Sequence, residues 1–221
     1  MNYLKTQYLY LFFICIFLFP PNTHAEFVNT NGEAIDKPFT DLLKWQFSKN
    51  KTLVNKINTS SEWREVIKNN ANNYTIWIGH STFIIKTEFG TVLTDPVFSQ
   101  RASPFSFAGP ERLIDPAIQI NELPKIDYIT ISHNHYDHLD IKSLVLLSKR
   151  FPDAIFLVPM GDKKLLDKNN IPNVIEFNWW DEVKQGELLF TFTPVQHWSA
   201  RGLFDKNKSL WGGWFFKTPS T

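Results

Sequence analysis

One cysteine, Cys15, is all that the 221 residues contain, and it lies inside an apolar N-terminal segment. The rest of the chain has neither a disulfide framework nor a thiolate, so any metal it holds must be bound through nitrogen and oxygen. An excess of charge of one sign is missing too: 23 Lys and Arg against 22 Asp and Glu leave a net +1. With no basic block, the chain carries no electrostatic footprint for nucleic acid. The apolar run at residues 9–19 is too short to span a bilayer comfortably. No internal repeat or low-complexity segment is visible. Aromatic residues, by contrast, are plentiful at 15%, including 8 Trp and 20 Phe, which excludes a disordered chain. The length suits one sizeable core or one large domain cut short.

Residues 1–25 read as an export signal: Lys5 gives a weakly positive start, the run at 9–19 follows, and Thr23-His24-Ala25 is a small-residue ending. Thr23 is an imperfect cleavage residue, so the alternative is an uncleaved anchor. The expected location is exported, periplasmic or membrane-associated. Ile14 before Cys15 is too bulky for a lipidation site. Residues 26–72 form an N-terminal extension with helices expected at 40–47 and 62–70, the second entered through Ser60-Ser61.

From residue 73 onward the pattern alternates strands and helices. Strands are expected at 75–78, 83–86 and 91–94, turning at Gly79-His80-Ser81 and Phe89-Gly90. A Pro/Ser/Phe-rich loop at 97–116 is long enough to suggest a function. Later strands are expected at 128–131, 155–158, 173–177, 188–193 and 210–217, with helices at 139–150 and 162–169.

The chemistry gathers in His133-Asn134-His135-Tyr136-Asp137-His138, just past an apolar β-branched run. Three imidazoles and a carboxylate in one short loop are ligands for one or two divalent metals, and zinc suits them. With this composition, H-x-H-x-D-H arises by accident about twice in ten thousand such chains. On a regular strand His133 and His135 would sit ~6.6–6.8 Å apart, too far for one ion, so the loop must curl. His197, also past a strand end, is the candidate third ligand. Three histidines leave a tetrahedral ion one open position. Asp137 and His138 either hold a second metal or orient the nucleophilic water, with Asp137 the candidate catalytic proton acceptor. Asp95 is a candidate partner orienting a histidine ring. His80 lacks ligand spacing to anything nearby and reads better as a structural, hydrogen-bonding histidine. Trp179, Trp180 and Trp198 are candidates for an apolar wall that binds substrate, with core packing as the default.

The loop resembles the signature of the metallo-β-lactamase fold hydrolases. Longer strings resemble one branch, the N-acylphosphatidylethanolamine-hydrolysing phospholipase D family. They include Trp77-Ile78-Gly79-His80-Ser81-Thr82, Leu93-Thr94-Asp95-Pro96-Val97-Phe98-Ser99, Trp179-Trp180-Asp181, Thr193-Pro194-Val195-Gln196-His197-Trp198-Ser199 and Leu210-Trp211-Gly212-Gly213-Trp214. The resemblance implies an α/β (α+β) αββα sandwich over residues 73–221. It implies a first zinc on His133, His135 and His197 and a second on Asp137 and His138. The implied reaction is phospholipase D-type cleavage of a phosphodiester by metal-bound hydroxide. The implied partners are a phospholipid or small-molecule substrate and a peripheral membrane contact. Family members carry a bridging aspartate and a last metal-binding histidine beyond the strand at 210–217. No residue before Thr221 fills either role, so the expected domain is incomplete. A lactone, a β-lactam or another phosphodiester as substrate, or an inactive metal-binding remnant, are the alternatives.

Overall fold

A computed structural model describes residues 27–33, 35, 59–69, 73–202 and 204–219. The expected export signal at 1–25 and the expected helix at 40–47 lie outside those residues. Among the described residues, no helix is long and apolar enough to cross a membrane.

The first sheet has six strands in sequence order: β1 (Tyr74–Gly79), β2 (Thr82–Thr87), β3 (Gly90–Thr94), β4 (Tyr128–Thr130), β5 (Ile155–Pro159) and β6 (Val174–Phe177). Strands β1 to β3 form an antiparallel meander, and β3 to β6 run parallel. A second, antiparallel sheet joins β7 (Glu182–Gln185), β8 (Leu188–Thr193) and β9 (Gly213–Lys217). The helices are α1 (Trp63–Lys68), α2 (Ile141–Arg150) and α3 (Lys163–Lys168).

Successive strand residues point to opposite faces, so a sheet covered on both sides needs apolar residues at both parities. That is what the central strands supply. Leu93, Ile129, Phe156 and Val158 face a cluster with Leu144 and Leu147 of α2 and Leu166 of α3. Their neighbours Val92, Tyr128 and Leu157 face Leu188, Phe190 and Phe192 of β8. The described residues therefore stack as helices, sheet and sheet, three layers of the expected αββα sandwich. Helix α2 starts at Asp140, whose side chain accepts from the Lys142 backbone N–H, an N-cap.

Most elements differ from the sequence reading by one or two residues at an end, and two differ more. Strand β7 is missing from it because Glu182-Val183-Lys184-Gln185 is polar; only Val183 reaches the inter-sheet core, and the strand is held by backbone pairing to β8. Gly186, at φ +59, makes the turn between the two strands. The strand expected at 210–217 is shorter because 210–212 pair elsewhere: Leu210 N–H donates to the Met160 carbonyl and Gly212 N–H to that of Ser132. A Cβ on Gly212 would lie 2.5 Å from the Phe192 ring, so only glycine permits this crossing.

Leu157 is fully buried between the sheets. Leu157→Ala should cost about 2–5 kcal/mol, lowering Tm by more than about 4 °C in calorimetry. A shift within error would contradict the two-sided core.

Candidate metal centre

Strand ends place the ligands. Asp95 and His133 follow the parallel neighbours β3 and β4 at one edge of the first sheet, the usual position for α/β sites, and His197 joins them from the end of β8 in the second sheet. The loop after β4 curls back at once: the backbone N–H groups of His138 and Leu139 both donate to the His135 carbonyl. That turn brings His133 and His135 together. His197 Nε2 lies 3.0 Å from His133 Nε2 and 3.3 Å from His135 Nδ1. A tetrahedral ion with zinc–nitrogen bonds of about 2.0–2.1 Å would space its ligand nitrogens about 3.3–3.4 Å apart. The three rings meet nearly edge-on, at interplanar angles of 79–85°. They converge nitrogens rather than stacking faces.

A second group stands beside the first, the His133 and His138 ring centroids being 4.0 Å apart. His80 Nε2 is 3.2 Å from Asp137 Oδ2, and His138 Nε2 is 3.7 Å from the same oxygen. The ligand-capable atoms of His80, Asp137 and His138 all lie within 4.8 Å of one another. His80, read from the sequence as a structural, hydrogen-bonding histidine, is thus also placed where it could be a ligand. The β1–β2 turn carries it to the metal loop, while its carbonyl accepts from the Trp77 indole N–H. No spacing rule could have found it, because the partner loop is more than fifty residues away.

Asp95 locks the nitrogens into place. Its Oδ1 accepts from Ser132 N–H, and its Oδ2 accepts from Ser132 Oγ at 2.7 Å and from His138 Nδ1 at 2.8 Å. Ser132 Oγ has one hydrogen, and it points at Asp95. The contact of 2.9 Å to His133 Nδ1 must then use a hydrogen on the ring. Both rings carry a hydrogen at Nδ1, so Nε2 is the atom that each turns toward the site. Asp95 (φ +36) and His80 (φ +50) are non-glycine residues in left-handed backbone, strain of the kind that gathers at functional sites.

Burial, reinforced by the neighbouring imidazoles, pushes the His133 pKa far below the ordinary histidine value. Burial and the nearby His197 push His135 down to about 4. Burial alone would lower His138 as well, but the hydrogen bond and charge of Asp95, with Asp137, outweigh it and raise the pKa. Neutral, buried, convergent imidazoles are ready metal ligands. The donor set thus fits one divalent ion at His133, His135 and His197 and a second at His80, Asp137 and His138.

The three tryptophans do not form one wall. Trp198 packs edge-on against His135, with centroids 4.3 Å apart. Trp180 is exposed. Trp179 is partly buried against the inter-sheet cluster with its indole N–H on the Trp211 carbonyl, the default core packing rather than a place in a substrate wall. Asn29, a residue the sequence reading passed over, accepts from the His197 backbone N–H and the Trp211 indole through one buried oxygen.

Comparison with known proteins fits this architecture. The family described as "Beta-lactamase superfamily domain" matches residues 90–221. The chain belongs to the metallo-β-lactamase superfamily. An uncharacterized protein of Mycobacterium tuberculosis is 40% identical over 148 residues, covering 65% of this chain and 39% of that one. The N-acyl-phosphatidylethanolamine-hydrolyzing phospholipase D 1 of Caenorhabditis elegans is 37% identical over 150 residues, covering 64% and 42%. This chain thus spans about two fifths of the length of those relatives. Among solved structures, an isothiocyanate hydrolase from Delia radicum gut bacteria shares the fold at 20% identity and a TM-score of 0.51, covering 66% of this chain and 58% of that one.

The two groups should load differently with pH. His135 keeps its lone pair until pH falls through about 4, whereas His138, held protonated by the hydrogen bond and charge of Asp95, gives up its extra proton at higher pH than an ordinary histidine. On acidification, metal measured by equilibrium dialysis should leave the His138 group before it leaves the His133 and His135 group. Simultaneous loss of both ions on acidification would contradict the assignment.

Proposed function

We propose that the protein is a zinc-dependent phosphodiesterase acting on N-acylphosphatidylethanolamine-type phospholipids. The observation that carries this reading is the pair of adjoining ligand groups, linked by the His133 and His138 rings with centroids 4.0 Å apart. Bound divalent ions there supply positive charge to phosphate oxygens and acidify water. The chain's own residues then have separate tasks. His133, His135 and His197 hold one ion, and His80, Asp137 and His138 the other. Asp137 is half-exposed, so water reaches its carboxylate, the proton acceptor in this reading. The name of the Caenorhabditis elegans relative supports the lipid substrate.

A lipid substrate needs an apolar approach, and the loop at 97–116 offers one. Arg101 and Glu111 pair across its stem at 2.8 Å, and at its tip Phe105 is 56% and Phe107 82% exposed. The base of the loop is bolted beside the metal loop, where Ser99 N–H donates to Asp140 Oδ2. In this reading the two rings meet acyl chains or a membrane surface, as suits an exported, peripherally bound enzyme.

Zinc-loaded protein should release an N-acylethanolamine and phosphatidic acid from N-acylphosphatidylethanolamine vesicles. His133→Ala should cut the rate by at least about 100-fold, the scale on which several kcal/mol of charge stabilisation acts. Zinc-bound protein that spares this lipid but opens a lactone or β-lactam would overturn the substrate assignment. Replacing Phe105 and Phe107 together by serine should raise KM for vesicles several-fold and leave a short, soluble phosphodiester unaffected. Equal effects on both would place the rings outside lipid contact.

A further inference from the structure

Between His133 and Leu139 the chain must present His135 to one ion and Asp137 and His138 to the other, yet only a short turn closes it internally. The remaining restraint comes from a residue four positions past His197. Arg201 Nη1 donates to the Asn134 carbonyl at 2.8 Å and to the Leu139 carbonyl at 2.7 Å. One nitrogen thus ties together the two ends of the segment that carries three ligands, keeping their carbonyls within two hydrogen-bond lengths of each other. The guanidinium also lies over the Tyr136 ring, 4.0 Å from its centroid, and Tyr136 Oη donates back to the Arg201 carbonyl. That stack fixes the plane of the fork, which a flexible ammonium could not match.

Arg201 is itself anchored. Its backbone N–H and that of Gly202 both donate to the Asp205 carboxylate. The turn is closed further by Asn207, whose N–H donates to the Ser199 carbonyl and whose side-chain oxygen accepts from Ser199 N–H. Asp140 and Asp205 supply negative charge around the guanidinium, beside Asp162, 1% exposed, whose carboxyl pKa is pushed up to about 7 by burial. A half-buried cation is tolerated where such charges balance it. Asp162 also faces Asn134, the residue between the two histidines.

We propose that Arg201 is a positioning residue of the metal centre: by bracing the carbonyls of Asn134 and Leu139 from the segment that carries His197, it sets how the metal loop presents its ligands to both ions. This rests on the metal-binding part of the function proposed above but not on the substrate. The same bracing joins the His197 segment to the loop, so the two parts of the first ligand group move as one.

The test uses the full 221-residue chain with Co²⁺ or Zn²⁺ as probe. Arg201→Lys keeps the charge and loses the planar fork. It should keep the wild-type far-UV circular dichroism while its zinc Kd rises about 10- to 100-fold, the range for partners that orient metal ligands. The visible d–d spectrum of the Co²⁺ form should change in shape, a readout that a merely structural role would not move. Wild-type Kd with an unchanged cobalt spectrum would overturn the proposal. If Arg201→Lys does not fold, Tyr136→Leu, which removes the surface under the guanidinium, carries the same test: weaker zinc binding supports the brace, and unchanged binding overturns it. Failure of the hydrolase reading looks different, since wild-type protein would then bind zinc but turn over no phosphodiester.

Discussion

The Asp95 carboxylate fixes the hydrogen positions on which the rest of the site depends. It stands at the end of β3, where the parallel pairing with β4 brings Ser132 alongside, and it takes hydrogens from Ser132 N, Ser132 Oγ and His138 Nδ1. Through the serine hydroxyl it also determines which nitrogen of His133 carries the proton. Two imidazoles from one loop therefore offer Nε2 to the site, and neither can turn its protonated face inward without breaking a buried hydrogen bond. That arrangement requires Asp95 to sit in left-handed backbone before a proline, a cost of order 1–3 kcal/mol that the surrounding hydrogen bonds offset.

The fold makes this possible through strand parity. Both faces of the central strands are buried, so β3 to β5 are mostly apolar, and the carboxylate, hydroxyl and imidazole of the site come just past the ends of β3 and β4. Asp95, Ser132 and His133 are these residues, so polarity and position at the edge coincide. The second sheet repeats the device once: β8 is buried along most of its length, then breaks at Pro194 and delivers His197 three residues later. Buried Asn29 and Trp211 hold that segment from behind, which explains why a residue far away in sequence matters to the position of a histidine.

Much of this was legible in the sequence because its signals were local. The apolar β-branched runs marked the strands, and H-x-H-x-D-H marked the loop. The strings shared with a phospholipase branch pointed to the fold to which the chain belongs. What escaped notice depends on contacts between distant segments. His80 carries no spacing signal, and only the β1–β2 turn brings it to Asp137. Trp179 looks like Trp180 in sequence, yet one is partly buried against Trp211 and the inter-sheet cluster and the other is exposed. Strand β7 is too polar to show an alternating pattern, since backbone pairing rather than side-chain burial holds it in the sheet. The same limit applies to Arg201, whose partners are backbone carbonyls that leave no trace in residue identity.

The central claim is that His133, His135 and His197 meet on one cation, with a second held by His80, Asp137 and His138. Crystals of the zinc-loaded protein, measured at wavelengths on either side of the zinc absorption edge, test it most directly. The account predicts an anomalous peak bonded to His133 Nε2, His135 Nδ1 and His197 Nε2, and a second beside Asp137 Oδ2. A map with no peak among the three imidazoles, or zinc bound only elsewhere on the surface, would contradict it.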